Sequence, residues 1–204
     1  MAIKEIIRMG HPTLRLSAEP YPIKKIGSDE CHELIADLRD TLAAAGGIGL
    51  AAPQINVAVQ VAVVDIPAGP TRYGDLSPVP FSIYINPKLT VLDDSRAGYW
   101  EGCLSVPGLR GYVVRPQRVK VDFIDLNGSE QSLIAEGFTA TVFQHEFDHL
   151  ASKLYIDHIS DTRLLVFEDQ FVEHGVDALT SDLQADSLRA YLPPTYRFDR
   201  SANA

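Results

Sequence analysis

Residues 139–151 read TATVFQHEFDHLA, a stretch without internal Pro or Gly, and predict a helix. Within it, His145 and His149 stand four apart, so a helix presents both imidazoles on one face. Two imidazoles so placed can grip one metal ion, and Glu146 between them can reach a water on that ion. A polar helix with two surface histidines is the plainer alternative.

A catalytic metal site wants three protein ligands and one open position. Three residues could supply the third ligand. His158 lies nine residues past His149, and Glu168 nineteen past it, a spacing that suits thermolysin-like peptidases. Cys103 lies far upstream, in Trp100-Glu101-Gly102-Cys103-Leu104-Ser105-Val106-Pro107-Gly108. Its flanking glycines let the backbone come close to another group, and a thiolate beside a metal binds tightly. A free buried cysteine is the competing reading. A further segment, Gly47-Ile48-Gly49-Leu50-Ala51-Ala52-Pro53-Gln54, combines small residues that allow close approach with an uncharged amide donor at Gln54. A helix stop explains Gly46-Gly47 but not the run through Gln54.

Outward from these motifs, residues 29–45 have the spacing of an amphipathic helix. Ser28 or Asp29 can cap it, Gly46-Gly47 can end it, and Cys31 falls on its apolar face. Residues 57–65 predict a buried strand, 66–80 a loop, and 81–86 and 89–92 two short strands. Residues 112–126 carry strand signal. Asn127-Gly128 marks a hairpin into 130–138. Residues 161–174 predict a second amphipathic helix, with Leu164, Leu165, Glu168, Phe171 and Val172 on one side and Gly175 past its end. Residues 176–204 are more polar and predict a tail. Hairpins with a late helix point to an α+β fold, with antiparallel strands packed around the His-bearing helix. A core unit over 1–160 would carry the helix and tail of 161–204 on the same domain.

The formal net charge is -9, which disfavours direct nucleic-acid binding. Two cysteines are too few for a disulfide framework. The N-terminus lacks the features of a signal peptide, and no apolar run is long enough for a membrane span. These readings predict a cytoplasmic location and no membrane partner.

Three motifs in this order give the chain its resemblance to the peptide deformylases: Gly47–Gln54, Glu101–Ser105 and Gln144–His149. The likeness runs from about residue 3 to about residue 159, with Met9-Gly10-His11-Pro12 and Asn86-Pro87 included. It implies a metal-dependent hydrolase that removes the formyl group from formyl-methionyl peptides and releases formate. It implies Cys103, His145 and His149 as metal ligands and Glu146 as the acid/base. Gln54 and the backbone N–H of Leu104 are implied as donors to the carbonyl oxygen. The implied substrate contacts are Gly49 beside the formyl group, Ile48 and Gly108 along the peptide, and Arg110 near its exit side. Position alone puts Ile48 and Val142 against the methionine side chain. The family implies Fe2+ as the ion, with Zn2+, Ni2+ or Co2+ as substitutes, and it implies an Asp148–Arg115 pair.

The chain departs from the family at Ser152, where a Gly is usual. It departs again in 161–204, which hold eight Asp/Glu against four Arg. Such a tail argues against docking on ribosomal RNA, whose phosphates would repel it.

Overall fold

The computed structural model describes residues 3–71, 74–75 and 77–180. It shows a mixed α+β architecture: three α-helices, a five-stranded sheet, a three-stranded sheet and a two-stranded ribbon, with every strand pair antiparallel.

Helix α1 (Asp29–Ala45) begins at Ser28, whose side chain accepts from Cys31 N, and ends at Gly46 in the left-handed region, φ +65°. Both ends obey local chemistry: a hydroxyl satisfies an orphan N–H, and glycine takes the left-handed cap. Its apolar face, Cys31, Ile35, Leu38 and Leu42, packs on Leu50, Val61, Val63 and Ile85. Burial of each such Leu or Ile contributes about 2 kcal/mol.

The five-stranded sheet orders β1 (Gly49–Ala51), β2 (Val61–Ile66), β5 (Val79–Val91), β8 (Arg118–Ile124) and β9 (Glu130–Glu136). Strand β2 sends Val61 and Val63 toward α1, and Val64 and Ile66 toward a second cluster with Val142 and Phe143 of α2 (Gly137–Leu150). From Val61 to Val64 that strand is covered on both faces, which explains its apolar run; Asp65 alone is exposed. The three-stranded sheet orders β10 (Leu165–Phe167), β7 (Val106–Pro116) and β6 (Arg96–Cys103). Helix α2 touches β1 and β2 of one sheet and β7 of the other, so it carries residues 144–149 into the space between them. The short pair β3 (Pro70–Thr71) and β4 (Gly74–Asp75) forms the ribbon.

Five expectations need correction. The strand expected from residue 57 starts at Val61, and the loop expected at 66–80 holds the short strands Pro70–Thr71 and Gly74–Asp75 and the first residues of β5. The two short strands at 81–86 and 89–92 are one strand, β5, with a register shift between Ile85 and Lys88. Asn86 sits in that irregularity at φ +49°, and its side chain bonds both the N–H and the C=O of Tyr21. Residues 112–126 are parts of two strands, broken at Gln117, and β6 was not anticipated at all. Its buried side includes Gly98, Glu101 and Cys103, so no clean apolar alternation marks it.

The fifth correction concerns 161–174. Thr162–Leu164 form a 3-10 turn, Leu165–Phe167 form β10, and helix α3 spans Glu168–Thr180, running through Gly175. Leu165, Val166 and Phe167 pair with Gly111, Arg110 and Leu109. The contiguous apolar run was therefore a strand joining a sheet edge rather than one side of a helix. Part of the expected tail, up to residue 180, belongs to α3, and the remainder lies outside the described residues.

Candidate metal centre and active site

His145 and His149 project from one side of α2, with ring centroids 5.3 Å apart. Cys103 ends β6 just after the register shift between Glu101 and Cys103, which turns its sulfur toward the helix. Its Sγ lies 3.4 Å from His149 Nε2. One ligand atom each from Cys103, His145 and His149 lie within 4.8 Å of one another, the one such cluster found among the described residues. Cys103 and His149 are buried, and His145 nearly so.

The fit of this cluster to a metal rests on its donors. A thiolate and two imidazoles are a zinc-type set. His145 Nδ1 is committed to Glu101 Oε2 at 2.7 Å, which leaves Nε2 as the nitrogen facing the cluster. Glu101 is in turn held by Arg115 at 2.6 and 3.0 Å, and Arg115 reaches Asp148 at 2.8 Å. Carboxylate support of this kind fixes the tautomer and direction of a ligating imidazole. Burial alone would push the Cys103 thiol up, but the charge of His149 and hydrogen bonds with both histidines bring it down to about 5. Burial disfavours charge on His145, yet Cys103 and Glu101 hold its pKa well above normal. The three residues thus already stabilise a negative sulfur beside positive charge.

Glu146 sits on the same helix with its carboxyl buried. Its pKa is pushed up to about 7, chiefly by burial, against the opposing charges of His145 and His149. Among the described residues its Oε2 has no hydrogen-bond partner. A Cβ built on Gly49 would stand 2.5 Å from Glu146 Cδ and 2.7 Å from its Cγ, closer than real Cβ contacts come. Only glycine at 49 leaves that carboxyl its place.

Gln54 is buried in a 3-10 turn, Ala52–Ile55. Its Oε1 accepts from Ala51 N at 2.8 Å, and its Nε2 points at Ser105 Oγ (3.2 Å) and Cys103 Sγ (3.6 Å). The N-terminal segment straps these loops: Ile7 N donates to Gln54 O, and Met9 N to Ser105 O.

An open cleft lies against the cluster. Ile48, Gly49, Leu104 and Val142 line it, as do Phe138 and Thr141, which the sequence reading did not name. Gly108 and Arg110 are not among its lining residues. Arg110 is buried, with Nη2 2.7 Å from Glu168 Oε1 and its guanidinium 5.5 Å from the Phe171 ring centre. Glu168 is therefore occupied on α3 and is no third ligand. His158 is none either: its Nε2 lies 2.9 Å from Asp148. Glu101 is the residue the sequence reading passed over. It stood inside a quoted motif, but nothing in the spacing told that it would meet His145.

The sequence profile of the family described as polypeptide deformylase matches residues 3–164. The chain belongs to this family. A peptide deformylase of Leptospira biflexa is 41% identical over 175 residues, covering 86% of this chain and 98% of that protein. Peptide deformylase 1 of Nitrosomonas europaea is 42% identical over 167 residues, covering 82% and 93%. Among solved structures, a Met-Ala-Ser-bound class I type b peptide deformylase from Acinetobacter baumannii superposes with a TM-score of 0.74 at 31% identity, covering 78% of this chain and 99% of that one. A Synechococcus elongatus peptide deformylase in complex with actinonin gives 0.68 at 34%, covering 78% and 79%. Deformylases are metal-dependent hydrolases that remove the N-formyl group from nascent peptides, and that is the activity of this chain. No helix among the described residues is long and apolar enough to cross a membrane.

Proposed function

We propose that Cys103, His145 and His149 hold one divalent metal ion and that Glu146 carries the proton in deformylation. The convergence of these three donors beside a buried, high-pKa carboxyl supports the reading. The donor set suits Fe2+, the family's ion, and equally Zn2+, Ni2+ or Co2+. Such an ion would supply Lewis acidity and make water acidic enough to ionise near neutral pH.

The chain's own residues do the rest. Glu146, the buried carboxyl beside the three donors, takes a proton from the attacking water and returns it to the leaving amine nitrogen. Gln54 Nε2 and the Leu104 N–H are proposed as donors to the formyl oxygen as charge builds there; losing one such donor costs roughly 3–4 kcal/mol in the barrier. Gly49, packed against Glu146, is proposed to lie beside the formyl group, where crowding would reject the extra methyl of acetyl. Ile48 and Val142, with Leu104, offer an apolar wall to the methionine side chain. Gly108, at φ +76° with open space before it, is proposed to lie along the bound peptide. Arg110, tied to Glu168, is proposed to act on the exit side through packing rather than by direct grip. The proposed partner is the formylated nascent peptide, with a cytoplasmic location to match that substrate; the acidic composition of 161–204 argues against docking on RNA phosphates.

The test is formate release from formyl-Met-Ala-Ser by anaerobically purified protein of measured metal content. Cys103→Ala is expected to lose metal and activity together. Glu146→Ala is expected to keep the metal and lose at least a hundredfold in kcat. Full activity in Cys103→Ala would overturn the ligand assignment.

A further inference from the structure

His158 was a candidate ligand by sequence and is no part of the cleft, yet it is not an idle surface histidine. It closes the 3-10 turn Tyr155–His158 that follows α2. Its Nε2 lies 2.9 Å from Asp148 Oδ2, the oxygen that also accepts from Arg115 Nη1 at 2.8 Å. Arg115 turns its other two nitrogens, Nε and Nη2, to Glu101, and Glu101 meets His145 Nδ1. The contacts form one unbroken chain: His158, Asp148, Arg115, Glu101, His145. Its inner members are buried; Arg115 and Glu101 side chains are 5% and 4% exposed, and His158, at 31%, is the member open to solvent. That open end faces a second groove, lined by Gln144, Phe147 and Asp148 on another side of α2 from the cleft.

We infer that His158 is a positioning residue for the metal centre: its N–H to Asp148 fixes the Arg115 fork, and the fork fixes Glu101 against His145. The physical reason is the fork's geometry. A guanidinium is planar and rigid, so a carboxylate seated on one edge constrains the angle at which it meets a carboxylate on the other. Asp148 sits on the helix that also bears His145 and His149, and one donor from Arg115 alone leaves its carboxylate free to swing. The N–H from His158 comes from a different element and pins the same oxygen. A carboxylate only accepts, so this contact sets the proton of His158 on Nε2. The inference rests on the proposed metal centre.

The test uses the full chain, stripped of metal and titrated with Co2+ against a competing chelator, followed by the cobalt absorption spectrum. His158→Phe keeps a ring and removes the N–H. It is expected to weaken Co2+ binding by a few-fold, below the roughly tenfold to hundredfold found for direct partners of metal ligands because three groups intervene, and to shift the cobalt bands. His158→Gln places an amide N–H near the position of Nε2–H and is expected to recover most of the affinity and the wild-type spectrum. If His158→Phe misfolds, His158→Ala replaces it with the same expectation. The thermal midpoint of each metal-free variant separates positioning from bulk stability. Unchanged Co2+ affinity and spectrum in His158→Phe would overturn the inference, and so would failure of His158→Gln to rescue. A wild-type protein that takes up no stoichiometric Co2+ with thiolate absorption would instead overturn the metal centre itself, and the inference with it.

Discussion

At residue 49 one methyl group decides where the acid/base can stand. Gly49→Ala would put its Cβ into the Glu146 carboxyl, and the neighbour is packed in a buried helix rather than free at a flexible tip. A displacement of about an ångström at a reacting group typically costs a hundredfold. Gly49→Ala is therefore expected to lose about a hundredfold in kcat while metal content stays at wild-type level; an active Gly49→Ala enzyme would show that the carboxyl has room to spare. Asp148 makes a second prediction at this scale. Burial would raise its carboxyl, but the hydrogen bond from His158 and the charge of Arg115 bring it down to about 2. The folded pKa lies below the unfolded value of about 3.9, so the contribution is full above that pH and fades as pH falls toward 2. Its size is about 2 kcal/mol. Urea unfolding of wild type and Asp148→Asn should show the wild type ahead by that amount at pH 7 and the gap closing near pH 2. A gap independent of pH would count against an ionised pair.

Among the elements, the irregularity in β5 is where sequence and structure part most clearly. Asn86 adopts φ +49° and clamps Tyr21 through both amide atoms. Asn86→Ala loses both bonds and strains the left-handed backbone, for an expected cost of about 3 kcal/mol; Asn86→Gly loses only the bonds and should cost about 1–2. Chemical denaturation of the two variants checks the order, and a glycine variant less stable than the alanine one would refute the role of φ. The break expected between 86 and 89 falls at Asn86-Pro87, but an irregularity keeps the strand paired through it, and neither residue type announces that. The helix α1 was legible to its caps because Ser28 and Gly46 act locally. Strand β6 was not, because Gly98, Glu101 and Gly102 interrupt its apolar alternation, and neither was the strand-then-helix course of 162–180, since β10 takes its shape from pairing with β7, a partner distant in sequence. Periodicity reports one segment at a time and cannot see which sheet edge awaits it.

Across the molecule, the two sheets and α2 bring together three motifs that lie up to about a hundred residues apart. The ligand trio was legible through the order of those motifs; the Glu101–Arg115–Asp148–His158 support was legible only at its Arg115–Asp148 step, because a hydrogen-bond chain depends on register between strands and leaves no spacing in sequence. Since the ligands come from β6 and α2, an ion bound there ties the two sheets. Metal removal is expected to lower the thermal midpoint by several degrees, corresponding to about 3 kcal/mol where the ion is present at a hundredfold over its dissociation constant; an unmoved midpoint would mean that the ion bridges nothing. The most direct measurement is X-ray absorption at the metal edge of the loaded protein. One sulfur and two imidazole nitrogens in the inner shell are expected, with the sulfur lost in Cys103→Ala. An inner shell of nitrogen and oxygen alone, in fully loaded wild-type protein, would contradict the centre proposed for this chain.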